Sequence, residues 1–189
     1  MTVLDHYLQH QIGMPLLKAK QITPLFQREI MPKGNFLVKK GGYCKKMIVL
    51  ESGYVRCYFQ TAKKTVTHWV FWQGQILSDL SSFLVEAPSK WNFQAITDCV
   101  VYSISIENYQ KIETLVPDWA KYEKRLFVKL ITTLENRVYS LISMSSEERY
   151  RFLFKTHPEL FNQIPLTYIA SMLNMTPETL SRIRKKSTS

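Results

Sequence analysis

Between about residue 30 and residue 104, apolar and polar positions alternate in short runs rich in β-branched and aromatic side chains. The runs cover residues 35–39, 47–51, 54–60, 65–71, 91–97 and 100–104. Turn formers separate them: Pro32, Lys33 and Gly34, then Gly41 and Gly42, Ser52 and Gly53, and Gly74. A period of two over many short, punctuated segments predicts an antiparallel sandwich or barrel. From residue 105 onward the chain has no glycine, and the apolar spacing turns helical. Ser105, with Asn108 and Tyr109, opens a short helix. Pro117 is then placed as the first residue of a long one, over about 117–144.

Along that long helix Phe127, Ile131, Leu134, Val138 and Leu141 follow one another at spacings of 4, 3, 4 and 3, a heptad seam. Leu126, Leu130 and Ile142 widen the face. Such a face can pack on its own domain or on a second chain. Because the helix joins an all-β half to an all-α half with little other core, it is expected to be a dimerisation helix. Three shorter helices follow. Ser145 caps one over 147–155, with Glu147 and Glu148 in its first turn and Tyr150, Leu153 and Phe154 on one side. Residues 156–159 break it. Pro165 precedes a helix over about 166–173, and Asn174 and Met175 form a turn. Thr176 caps the last helix, with Pro177 as its first residue and Glu178 in its first turn. Ile169, Ala170, Leu173, Leu180 and Ile183 make the shared apolar face, with Ala170 small where two helices cross. A short helix, a tight turn and a second helix carrying Arg182, Arg184, Lys185 and Lys186 match a helix-turn-helix over 165–186, whose second helix enters the major groove.

Charge strengthens this reading through its distribution. The net charge is +10, and residues 121–189 hold 12 Lys/Arg against 6 Asp/Glu, while residues 1–120 hold 13 against 9. No acid follows Glu178. A basic helix end can simply complement its dipole, so the cluster gains meaning only from the scaffold beneath it. With 46% hydrophobic and 21% charged residues, the chain belongs with folded proteins. No apolar run reaches the roughly 20 residues of a membrane span, and the first residues, with Asp5, do not read as a secretory signal; a cytoplasmic protein is expected. Cys44, Cys57 and Cys99 are odd in number and widely spaced, which fits free thiols in a reducing compartment. His6, His10, His68 and His157 are scattered, and no Gly-x-Ser-x-Gly, Walker or HExxH motif occurs. No catalytic set, metal site or cofactor is expected.

The stretch Tyr168-Ile-Ala-Ser-Met-Leu-Asn-Met-Thr-Pro-Glu-Thr-Leu-Ser-Arg-Ile-Arg-Lys-Lys186 resembles the helix-turn-helix of the Crp/Fnr transcription regulators. Gly34, Gly41 and Gly53 resemble the turn glycines of that family's cyclic-nucleotide-binding β-roll. Phe71-Trp-Gln-Gly-Gln-Ile-Leu-Ser-Asp-Leu80 is similar to the approach to its phosphate-binding cassette. The resemblance covers roughly residues 25–186. It implies an α+β chain made of an antiparallel β-roll (a cyclic-nucleotide-binding-like jelly roll, 1–116), a dimerisation helix (117–144) and an all-α helix-turn-helix domain (145–189). With three residues after Lys186 and a short 156–165 segment, the wing of winged relatives is expected to be reduced or absent.

What the resemblance implies for DNA falls on matching positions. Glu178 and Arg182 take the places of the base-reading Glu and Arg, one turn apart on one face; a carboxylate accepts from cytosine N4, and Arg forks onto guanine O6 and N7. Their alternative use is a surface ion pair. Pro177 stands where some members carry a further Arg. Thr176, Thr179, Ser181 and Lys185 are candidate phosphate contacts. The cassette positions hold Ser78, Asp79 and Leu80, then Ser89, Lys90 and Trp91. There the family's ribose-binding Glu becomes Asp79 and its phosphate-binding Arg becomes Ser89, which lacks the bidentate fork. Lys90 is expected on the opposite face of a strand. The partners implied are double-stranded DNA, a second copy of the chain, and a small-molecule effector that is not cyclic AMP. The alternative is a small-ligand sensor working through the altered cassette, with Trp69, Trp72 or Trp91 stacking a ligand or filling the core.

Overall fold

The computed structural model describes residues 1–187. In chain order the strands are β1 (Gln27–Met31), β2 (Phe36–Val38), β3 (Lys46–Ser52), β4 (Val55–Gln60), β5 (Thr65–Phe71), β6 (Ile76–Leu77), β7 (Asn92–Ala95) and β8 (Cys99–Ser105). They form two four-stranded antiparallel sheets ordered β1-β8-β3-β6 and β2-β7-β4-β5. The helices are α1 (Val3–His6), which runs into a π-turn, then α2 (Leu16–Ile22), α3 (Leu80–Val85), α4 (Ile106–Leu115) and α5 (Trp119–Ser143). After these come α6 (Ser146–Thr156), α7 (Leu160–Gln163), α8 (Leu166–Met172) and α9 (Pro177–Ser187).

The two sheets close on a core that includes Ile48, Leu50, Val55, Cys57, Phe93 and Val101. The alternate residues of the first sheet, Met47, Val49, Tyr102 and Ile104, are buried on its other face beneath α1, α2, α4 and the start of α5. Both faces of β3 are therefore covered, and its middle reads as a continuous apolar run. The turn into β4 depends on Gly53, at φ +88°, where an added Cβ would lie 2.4 Å from the Asp98 carbonyl oxygen.

Several elements depart from the sequence expectation. The long helix begins at Trp119, not at Pro117, with Asp118 at its cap, because the chain still turns through residues 116–118. Ser89, Lys90 and Trp91 lie in the loop before β7 rather than on a strand, although Ser89 is buried and Lys90 exposed. The strand expected over 91–97 spans only Asn92–Ala95. The two N-terminal helices, β1, β6, α3 and α7 were not anticipated. By contrast, Ser105 caps α4 by accepting from the Asn108 amide, and Ser145 and Glu148 form a reciprocal capping box on α6. Among the described residues, those after α5 form helices and turns and no strand.

Beyond Leu126, which is buried, α5 leaves its own core. Ile131 is 56% exposed, and Leu134, Val138 and Ile142 are also exposed, so much of this face is left to solvent.

Candidate nucleic-acid interface and effector cassette

The α8–α9 pair is built from its apolar side outward. Ile169, Ala170, Leu173, Leu180 and Ile183 are all buried in one cluster with Tyr150, Leu153 and Phe161. Asn174 takes the left-handed conformation (φ 53°), which Asn tolerates, and the Met175 amide bonds back to the Ala170 carbonyl at 2.9 Å. Thr176 then caps α9, accepting from the Thr179 amide at 3.2 Å, and Pro177 is the first helical residue.

The opposite side of α9 faces solvent. Thr176, Pro177, Glu178, Ser181, Arg182 and Lys185 are exposed and Thr179 is half-buried. Arg182 donates to the Thr179 hydroxyl at 3.4 Å and is not ion-paired with Glu178. Backbone donation at its own residue, then the Thr176 hydroxyl, and lastly the Arg182 charge hold the Glu178 carboxyl below its ordinary range, so it is ionised at neutral pH. The face thus presents an acceptor and a five-donor fork one turn apart.

Three arginines that the sequence reading passed over fix this unit in place. Arg149, 8% exposed, donates to the carbonyls of Leu173 (2.8 Å) and Met144 (2.5 Å), at the C-terminal ends of α8 and α5. Arg137, from α5, donates to the Met172 carbonyl at 3.1 Å and lies over the Trp69 ring at 5.1 Å. Arg56, on β4, is held between the rings of Tyr58 (4.4 Å) and Tyr168 (3.8 Å). Its Nε donates to the Thr67 hydroxyl, while the Thr67 amide donates to Ser171 of α8. Val70 of β5 joins the apolar cluster of the helical unit. The signal in the sequence was an Arg inside an otherwise apolar run, Val55-Arg56-Cys57; Arg149, near Glu148 and Arg151, and Arg137 carry no such signal.

In the cassette, Asp79 is buried and caps α3, accepting from the Ser82 amide at 3.3 Å and the Ser81 hydroxyl at 2.8 Å. Ser89, also buried, donates to the other Asp79 oxygen at 2.6 Å. The two residues standing for a ribose-binding Glu and a phosphate-binding Arg therefore bond to each other. Ser78 donates to the Lys46 carbonyl at 3.1 Å. Trp91 packs against Phe59 and His68, with centroids 5.6 and 4.7 Å away. Trp72 packs on His157 at 4.3 Å and Trp69 at 5.7 Å. Of the six cassette candidates, Ser78 and Leu80 line a cleft of about 280 Å³ between the roll and Leu130, Ile131 and Leu134 of α5. The three cysteines are buried free thiols, and burial pushes those of Cys57 and Cys99 up. Among the described residues no helix is long and apolar enough to cross a membrane.

Residues 28–113 match the cyclic nucleotide-binding domain. No curated protein matches the chain. Among solved structures, the catabolite activator protein of Thermus thermophilus is 20% identical, with a TM-score of 0.60 over 95% of this chain and 85% of that one. The c-di-GMP-responsive global regulator CLP of Xanthomonas campestris is 15% identical, with a TM-score of 0.67 over 92% of each chain. FixK2 from Bradyrhizobium japonicum is 18% identical, with a TM-score of 0.65 over 85% of this chain and 83% of that one. At these identities the likeness is one of fold.

Proposed function

We propose that the chain is a cytoplasmic, dimeric, sequence-specific DNA-binding transcription regulator of the Crp/Fnr type, with a cassette altered away from cyclic AMP. The observation that carries this is α9: its apolar side is buried against α8, and its solvent side presents Glu178 and Arg182 one turn apart. Pro177 blocks a further basic contact at the helix start, while Thr176, Thr179, Ser181 and Lys185 supply backbone contacts. The exposed Ile131, Leu134, Val138 and Ile142 support pairing of two α5 helices. Regulation of transcription is also consistent with the fold shared with a catabolite activator and a regulator of virulence gene expression. The domain boundaries 1–116, 117–144 and 145–189 follow from the same reading.

Selection of bound duplexes from a random pool tests it. A two-fold symmetric site with half-sites about one helical turn apart is expected. Arg182→Ala is expected to cost about 1–3 kcal/mol and relax preference at one position, while Lys185→Ala weakens all sequences alike. If neither variant weakens binding, or no DNA is bound at low salt, the reading fails.

A second reading, a small-ligand sensor, is favoured by the cleft between the roll and α5. Asp79 and Ser89 already satisfy each other, so neither cyclic AMP nor cyclic GMP is expected to raise the melting temperature.

A further inference from the structure

The turn joining β4 to β5 carries Lys63 and Lys64, both exposed and neither in an ion pair among the described residues. Thr61 rigidifies the turn: its hydroxyl accepts from the amides of both lysines, and its own amide donates to the Lys64 carbonyl at 2.9 Å. The hairpin is held against the helix-turn-helix by the Thr67–Ser171 bond and by the Arg56 guanidinium under Tyr168. As a result Lys64 and Thr65 form one wall of a cleft of about 440 Å³, and Thr167, Ser171, Asn174 and Thr176 form the other. None of the residues lining the cleft is acidic. Glu178, one residue beyond it, is the nearest carboxylate along α9.

We infer that this β4–β5 turn is a second DNA-backbone contact, in which Lys63 and Lys64 bind phosphates beside the groove that α9 enters. The inference rests on the helix-turn-helix reading, because it takes the exposed side of α9 as the DNA side. Two unpaired ammonium groups and a row of hydroxyls next to the start of the reading helix are the chemistry that phosphates use, and they carry no base information. The turn belongs to the effector domain, so DNA would be gripped by both domains at once.

The test is the salt dependence of binding to the duplex that the wild-type protein selects. Each phosphate contact contributes about 0.9 to the slope of log K against log salt. Lys63→Ala/Lys64→Ala is expected to make that slope shallower by about 1.8 per protomer, about 3.6 for a dimer on its two-fold site, without changing the selected sequence. Lys63→Arg/Lys64→Arg is expected to keep the slope, and Lys111→Ala, far along the chain on α4, to leave it unchanged. A wild-type slope in the double alanine variant overturns the inference while the helix-turn-helix reading stands. Absence of wild-type binding at low salt overturns both.

Discussion

Removing the guanidinium of Arg56 tests how the α8–α9 unit is held on the roll. Arg56 is 7% exposed, and among the described residues it has no carboxylate partner; its charge is met by the rings of Tyr58 and Tyr168 and by one hydroxyl. Burial lowers its pKa, but an arginine stays protonated. A desolvated cation over an aromatic face contributes about 2 kcal/mol. The single variant Arg56→Met mixes that loss with relief from burying a charge, so its net effect can be small. A double-mutant cycle removes the ambiguity. With Arg56→Met and Tyr168→Leu, which keep apolar volume, the coupling energy is expected to be about 1.5–2 kcal/mol. Urea unfolding followed by tryptophan fluorescence measures it, because Trp69 and Trp72 sit at this joint, against Arg137 and His157 respectively. A coupling below about 0.5 kcal/mol would refute the claim that this contact docks α8 on β4, since contacting residues typically couple above that value.

Two more perturbations probe the same joint. Arg149→Ala strips the buried Leu173 carbonyl and the half-buried Met144 carbonyl of their donor and is expected to cost about 3 kcal/mol in urea unfolding; Arg149→Lys should recover less than half, since one ammonium cannot span both helix ends. His68 is held near pKa 4 by burial and, second, by the Arg137 charge. The unfolded chain therefore binds the extra proton between about pH 6.5 and pH 4, and stability falls as pH drops through that window. Between pH 7.5 and pH 4.5 this group should remove up to about 2.5 kcal/mol, a component His68→Leu should lack when the two stability–pH profiles are subtracted.

What could be read from the sequence was local. Thr176, Pro177 and Glu178 announce the start of α9, and Ser145 with Glu148 that of α6, because caps act within one turn. The strands of the second sheet were legible where one face is wet. β1, Gln-Arg-Glu-Ile-Met, was not. It is an edge strand whose charges pair across the sheet, Arg28 with Glu51 at 2.6 Å and Glu29 with Lys46 at 2.7 Å, so it carries no apolar alternation. The N-terminal helices were missed because Leu4, Tyr7, Leu8 and Ile12 bury themselves in a cluster with residues far along the chain, such as Met47, Ile112 and Tyr122. Asp79 stands in the sequence as a candidate position of an altered cassette, and its N-capping role depends on α3, too short at six residues to show a period.

The same long-range logic connects the cassette to the joint. A buried arginine in a phosphate pocket leaves a charge that only the ligand can neutralise, so such a pocket is costly when empty. Ser89 removes that charge, and its 2.6 Å bond to Asp79 satisfies the remaining acid within the protein. Asp79 and Ser89 are therefore satisfied by each other and by α3. Arginines sit instead where the roll, α5 and the α8–α9 pair meet: buried Arg56 and Arg149 and half-buried Arg137 find their partners in rings and helix-terminal carbonyls. Those partners are covalent parts of the chain and cannot dissociate. The position of α9 relative to the roll is thus held by contacts within the chain. A ligand that displaced Tyr168 or the α8 carbonyls from these arginines would loosen the joint directly.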